Sequence, residues 1–496
     1  MSINTQNRRI IFGLRVKQLR QAKGLSFQEL SKASGVSVSY LNEIEKGKKY
    51  PKEDRIAQLA KALGVSHKSL TSAELGSGLG PVADLLRSNF LNELPLDLFG
   101  IDLQKIVSII ANAPARVGAF ISTLVEISRN YELGEENFYV GAMRAYQELH
   151  LNHFPELEEQ ADKCARQHGL PTDSAPTREQ LQQILVQHYH YELDYDSLQH
   201  YPELRHLRCV YLPKPRKLLI NRAILDQQEV FLLAREVGFN FLQLEGRPLT
   251  APLHRLQSFE PVLSNFKASY LAAALMVKRD ALVADLRVLF SRAQWDASAF
   301  LGLMSRYKAS PEMFFQRLTN VLPEDFGIKQ LFFLRIGNKP GTDHFAITKE
   351  MHLGRQHYPH RSGLSEHYCR RWNSTELLKH LPQLPPGAAT EQPIVGIQRS
   401  RFHGTGEEYL SLTFAKTAYP LVEQNVSITL GLLIDDHLRA QVGFTDDNGI
   451  PYREVNQTCE RCSIMDCEVR AALPSVILKR QQRQLMQKTL KELWQE

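Results

Sequence analysis

The sequence predicts a multidomain protein, mainly α-helical, with an α+β part towards the C-terminus. Three observations carry that prediction. The chain has 496 residues, too many for a single hydrophobic core. Helical apolar spacing, punctuated by glycines, runs through residues 1–72 and again through much of 83–300. Four apolar runs then read as strands: 331–336 (LFFLRI), 393–400 (PIVGIQRS), 409–415 (YLSLTFA) and 426–434 (VSITLGLLI). Hydrophobic residues make up 43% and charged residues 23% of the chain, as in ordinary soluble proteins. No run approaches the ~20 apolar residues of a membrane span. The polar N-terminus lacks the apolar core of a secretory signal. Six cysteines in a chain this long are not a disulfide scaffold, so a reducing, cytoplasmic location is expected.

Charge is unevenly placed. The net charge is +6, but residues 1–72 hold fourteen Lys/Arg against five Asp/Glu, which is +9 and leaves −3 for the other 424 residues. A small basic module on a slightly acidic body implies a polyanionic partner for the module alone.

Five short helices are expected in that module. The first carries Ile10, Leu14, Val16 and Leu19 and stops at Gly24. Ser26 and Glu29 have capping-box spacing for the second, which Gly35 ends. Ser37 caps a third over Val38–Lys46, closed by Gly47; a fourth spans 52–63 with Gly64 behind it, and Ser66 caps a fifth. Two short helices joined by a turn that starts at Gly35 form a helix-turn-helix. The stretch GLSFQELSKASGVSVSYLNEIEKGKKYP resembles the DNA-binding domain of the XRE/lambda-repressor type, with Ala33, Gly35, Val36, Leu41, Ile44 and Gly47 at core and turn positions. In such a domain the third helix enters the major groove. Val38 and Tyr40 then offer apolar contacts to thymine methyls, Ser39 and Asn42 reach base edges, and Lys46, Lys48 and Lys49 fit phosphates.

A Gly-rich linker, 73–82, leads to a helical segment, 83–170, with helical spacing over 103–126 and 137–149 and a break at Pro155. After a second linker the pattern mixes: a short strand near Leu218–Ile224, an apolar helix over Glu229–Leu242 and another over Phe266–Met276. Residues 178–300 resemble an ImmA/IrrE-type metallopeptidase domain, whose first helix carries HExxH and whose second adds an acidic ligand. Here Arg235 and Phe239 stand at the two His positions, Glu236 at the general base and Lys267 at the acid. Protonated Arg and Lys have no lone pair for a metal, so no zinc and no enzyme activity are expected. Arg235, Lys267 and Tyr270 are the candidate residues for an anionic, partly apolar ligand.

The strands of 301–475 suggest one antiparallel sheet of a GAF-like sensor domain. Cys459, Cys462 and Cys467 follow as CxxCxxxxC. Soft thiolates so close together point to a metal, zinc or iron–sulfur, or to a redox pair. Cys369, in EHYCRRW, is a possible fourth ligand. The motif CERCSIMDCEVR, completed by Arg470, together with RAYQELHLNHFPEL, NFKASYLAAALM and EHYCRRW, resembles the short-chain fatty acyl transcriptional regulators over almost the whole chain. That resemblance implies a regulator of propionate, methylcitrate or glyoxylate-cycle genes with an acyl-CoA effector; a homodimer is expected because a single helix-turn-helix contacts only a few base pairs. The resemblance also implies a [4Fe-4S] cluster on the three cysteines, with zinc the runner-up. The competing readings are an iron–sulfur or redox sensor without organic ligand, and a peptidase, which the missing zinc ligands disfavour. Residues 476–496 form a basic amphipathic helix expected to pack on the body.

Overall fold

The computed structural model describes residues 5–71, 135–171, 174–253, 258–354, 366–381, 393–420 and 424–494. The linker 73–82 and the helical spacing over 103–126 lie outside these residues. The chain divides into two compact units, residues 1–142 with 257–259, and residues 143–256 with 260–496.

In the first unit the expected five helices are present: α1 (Thr5–Ala22), α2 (Phe27–Ser34), α3 (Val38–Glu45), α4 (Glu53–Ala62) and α5 (His67–Thr71). Their inward faces bury Phe12, Val16, Leu30, Val36, Leu41, Ile44, Ile56, Leu59, Leu63 and Leu70 in one core. Ala33, expected in that core, is exposed, and Ser34 is buried in its place.

α6 (Glu135–Leu149) precedes the second unit, and its last residues enter it; α7 (Pro155–Gln167) lies within it. Between them Leu151 and Asn152 take positive φ, so the helix breaks there and Pro155 instead starts the next one. α8 (Arg178–Gln183) begins at a Thr177–Gln180 capping box. A four-stranded sheet follows in the order β1-β3-β2-β4: β1 (Glu192–Asp194), β2 (Cys209–Leu212), β3 (Lys217–Ile220) and β4 (Thr250–Ala251). Only β3 was legible in the pattern; β2 has the same four residues, and β1 and β4 have three and two. α9 (Asp226–Phe241) and α10 (Glu260–Met276) cover this sheet. They cross where a Cβ on Gly238 would lie 3.0 Å from the Ala268 carbonyl oxygen, so the crossing has no room for a larger side chain.

α11 (Arg279–Phe290), α12 (Ala297–Arg306) and α13 (Pro311–Asp325) lead into a six-stranded sheet, β10-β7-β8-β9-β5-β6. Its strands are β5 (Leu331–Asn338), β6 (Phe345–Leu353), β7 (Ile394–Phe402), β8 (Glu408–Thr417), β9 (Asn425–Leu433) and β10 (Tyr452–Val455). All pairs are antiparallel except β10 with β7, which is parallel, so the expected purely antiparallel sheet is a mixed one. β6 escaped the sequence reading because Lys349 and Glu350 interrupt its apolar run. One core runs from Ala273 and Leu286 through Phe314 and Phe315 to Leu410, Ile428 and Phe444. The expected division near residue 300 therefore does not separate two cores. The opposite face of the sheet packs α14 (Asn373–His380) through Phe332, Leu334, Trp372 and Leu378.

α15 (Asp436–Gln441) and the terminal α16 (Ser475–Leu493) complete the chain. No residue of α16 is buried, contrary to the expected packing on the body. No helix among the described residues is long and apolar enough to cross a membrane.

Candidate nucleic-acid interface

The α2–α3 pair is fixed by local chemistry before any tertiary contact. Ser26 Oγ accepts the Glu29 amide at 3.2 Å while the Ser26 amide donates to Glu29 Oε2 at 2.7 Å. That bonding holds the exposed Glu29 carboxyl below its ordinary value. Gly35 takes φ +67°, its amide donating to the Ser31 carbonyl at 2.9 Å, and Ser37 Oγ accepts the Tyr40 amide at 3.3 Å. Each cap contributes about 1 kcal/mol. Leu41 and Ile44 are fully buried, so the opposite face of α3 must point out. There Val38 is 41% exposed. Ser39 is exposed beside it, Asn42 is partly buried, and Lys46, Lys48 and Lys49 are exposed around Gly47. Tyr40 differs from expectation, since part of its ring packs on the core.

Two features that set the attitude of α3 were not foreseen. A Cβ on Gly13 would sit 2.2 Å from the Ile44 carbonyl oxygen, so only glycine lets α1 and α3 touch. Arg20 of α1 makes a two-pronged ion pair with Glu45, at 2.7 and 2.9 Å, donates to the Leu25 carbonyl and lies over the Phe27 ring. The Glu45 carboxylate is thereby neutralised close to the recognition face. Glu45→Ala should destabilise this unit by about 1–3 kcal/mol and weaken DNA binding although the carboxylate would touch no DNA. Urea unfolding followed alongside DNA affinity checks this, and unchanged stability and affinity would refute it.

An outward-facing second helix, held at a capped turn and followed by exposed lysines, defines a helix-turn-helix domain. The helix-turn-helix family model matches residues 16–70. An uncharacterized HTH-type transcriptional regulator, y4dJ, of Sinorhizobium fredii is 39% identical over 64 residues, 13% of this chain and 83% of that protein. The control protein C.BamHI of Bacillus amyloliquefaciens is 36% identical over 67 residues, 13% of this chain and 83% of that protein. The chain belongs, through this domain, to the XRE family of helix-turn-helix transcriptional regulators. A solved structure titled a Mycobacterium tuberculosis transcriptional regulator aligns over 66% of this chain and 92% of its own, at 16% identity and a TM-score of 0.45.

The other expected sites are arranged differently from the sequence reading. Arg235, Lys267 and Tyr270 do not come together. Arg235 contacts Asn265, Glu236 and the Cys209 sulfur and faces the Phe239 ring. Tyr270 lies on another side of α10, where its hydroxyl donates to Glu158 at 2.7 Å and its ring meets Phe154 and Phe266. Five residues along a helix turn through about 140°, which separates Tyr270 from Asn265, the residue that does reach Arg235. Lys267 is partly buried. Glu236, at the general-base position, is only 2% exposed and is ion-paired to both Arg235 and Arg247. Two guanidinium groups therefore hold the carboxylate at the general-base position.

Cys459, Cys462 and Cys467 lie in one loop near the C-terminal helix. Among the described residues no three His, Cys, Asp or Glu side chains stand as a ready metal-holding group. The backbone of the loop closes around a guanidinium. Arg470 donates to the carbonyls of Cys459 at 2.8 Å, Cys462 at 3.2 Å and Ile464. Cys459 and Cys462 are buried, and Cys467 is partly exposed. Cys369 arrives across the Tyr368–Thr458 bridge. Burial pushes its thiol up to about 11, and the Cys459 and Cys462 sulfurs add to the rise. Because one side chain satisfies these turn carbonyls, Arg470→Met should expose both thiols. Their reaction with a thiol reagent under native conditions should accelerate at least tenfold, and an unchanged rate would refute the role given to Arg470.

Proposed function

We propose that the protein is a sequence-specific, dimeric DNA-binding regulator whose hold on its operator responds to a short-chain acyl-CoA, with propionate, methylcitrate or glyoxylate-cycle genes as targets. The observation carrying the DNA-binding part is the outward face of α3, with Val38, Ser39 and Asn42 presented and Lys46, Lys48 and Lys49 exposed where the chain leaves the helix. Ser39 and Asn42 hydrogen-bond base edges and Val38 meets thymine methyls, while the lysines bind phosphates. One such unit reads few base pairs, so two copies bind a near-palindromic site with half-sites about 34 Å apart.

The effector and the target genes rest on the resemblance of the motifs around Tyr146, Tyr270, Cys369 and Cys459 to the short-chain fatty acyl regulators. The iron–sulfur reading rests on the same resemblance, with Cys459, Cys462 and Cys467 as the ligands. Genome-wide mapping of bound sites with and without propionate tests the proposal. Sites upstream of short-chain fatty acid genes, with occupancy changed by propionate, are expected. Occupancy identical in both conditions would remove the effector, and an absence of discrete sites would remove the regulator.

A further inference from the structure

The second unit concentrates positive charge at one rim of the six-stranded sheet, although the chain beyond residue 72 is acidic overall. Arg335 of β5 stands directly opposite Lys349 of β6. Lys416 of β8 pairs with Val426, which pairs with Gly337, placing Lys416 two residues along on the same face as Arg335. The helices cover this face, and α13 sets Glu312, in its first turn, between the two cations. Glu312 is 3.5 Å from Arg335 and 3.4 Å from Lys349. Arg208, just before β2, completes the group, near enough that Glu312 and Arg335 both act on its charge. Four cations thus share one carboxylate. Among the described residues neither the Arg208 guanidinium nor the Lys416 ammonium has an ion-pair partner.

Such a group is poorly satisfied as it stands. Burial and the facing Arg208 and Arg335 push the Lys416 ammonium down to about 8, against the opposing pull of Glu312. Burial likewise lowers Arg208, while the surrounding cations outweigh burial and hold Glu312 down at about 2. Like charges held together disfavour one another's charged form, and an anion sharing the site relieves that cost. Glu312 lies in the first turn of the 15-residue helix α13, whose N-terminal end favours negative charge.

The geometry points to a binding site for a small molecule carrying two or more phosphate groups, held by Arg208, Arg335 and Lys416, with Glu312 the carboxylate it displaces. Arg208 and Arg335 are suited to grip phosphate oxygens with two parallel donors, and Lys416 to act as a point charge. Lys349 lies at the open edge, its side chain 48% exposed. This deepens the reading of an anionic effector and rests on it for biological meaning, but the site is argued from its own charges. It takes Arg208, Arg335 and Lys416 in place of the expected Arg235, Lys267 and Tyr270.

Calorimetric titration of the full chain with inorganic pyrophosphate, ADP and adenosine tests it, with Lys48→Ala/Lys49→Ala as a control for anion binding to the DNA-binding surface. Pyrophosphate and ADP should bind and adenosine should not. Arg208→Ala/Lys416→Ala should weaken both by more than tenfold while duplex DNA binding, measured on the same sample, is retained. Glu312→Gln should tighten pyrophosphate binding, an effect no purely structural role of this group would give. Absence of pyrophosphate binding to the wild type would overturn the site, as would equal binding by the Arg208→Ala/Lys416→Ala protein. If pyrophosphate binds there but no acyl thioester changes DNA binding, the effector reading falls and the phosphate site stands.

Discussion

Removal of residues 1–72 should abolish operator binding at physiological salt, a loss of roughly a thousandfold or more, down to the level of non-specific association. The reason is compositional and geometric together. The deleted segment holds the +9 of charge that draws in the duplex, and α3 is the helix whose exposed face is edged by Lys46, Lys48 and Lys49. Smaller changes should divide the effect. Ser39→Ala or Asn42→Ala should cost about 1–3 kcal/mol on the operator and little on random DNA, because lost base contacts erase discrimination. Lys48→Ala or Lys49→Ala should weaken binding to all sequences and reduce the salt slope by about one each. Fluorescence anisotropy across a salt series separates the two classes. Full operator affinity in a chain lacking residues 1–72 would place the DNA-binding surface elsewhere.

The second large effect is on stability. Glu158→Leu should destabilise the second unit by about 3–5 kcal/mol, because it leaves a buried guanidinium unpaired. Arg317 is fully buried and its side chain is committed on every side. Nη1 and Nη2 donate to the two Glu158 oxygens at 2.5 and 2.9 Å, and Nε donates to the Val277 carbonyl at 3.0 Å. Tyr270 adds its hydroxyl to the same carboxylate. The cluster ties α7, α10 and α13 together. A midpoint drop on the order of 5–15 °C is expected by calorimetry. Glu158→Leu/Arg317→Met should recover much of it, since two apolar groups of similar size need no partner. If the double replacement is as damaging as the single one, the loss lies in packing and not in the stranded charge.

The same carboxylate gives a pH dependence with a definite sign. Burial alone would raise the Glu158 pKa, but Arg317 outweighs it and the net direction is down. A carboxyl lower in the folded than in the unfolded chain contributes stability that is complete above the unfolded value and is lost as pH falls towards the folded one. The wild type should therefore lose stability below about pH 4, and Glu158→Leu/Arg317→Met should lose less over that interval.

What the sequence determined by itself lies mostly where structure is local. Ser26, Glu29, Gly35, Ser37 and Gly47 specify caps and turns within a few residues of themselves, so the helix-turn-helix and its exposed face could be read without knowing what packs on them. The long strands β5, β7, β8 and β9 were legible for a related reason, since each carries enough apolar residues to announce itself. The tertiary structure decided what depends on partners far away in the chain. Glu158 and Arg317 are 159 residues apart, and Tyr270 was drawn to that pair and away from Arg235 by the side of α10 on which it falls. No local pattern marks Arg208 or Lys416 along the sequence, yet the fold brings both to the rim that holds Arg335 and Glu312. The spacing of the three cysteines is local and was legible, whereas the bonding of the Cys459 and Cys462 carbonyls to Arg470 was not. Spacing encodes where a chain can turn; which side chains meet, and whether their charges are shared or stranded, is set by long-range packing that no local window contains.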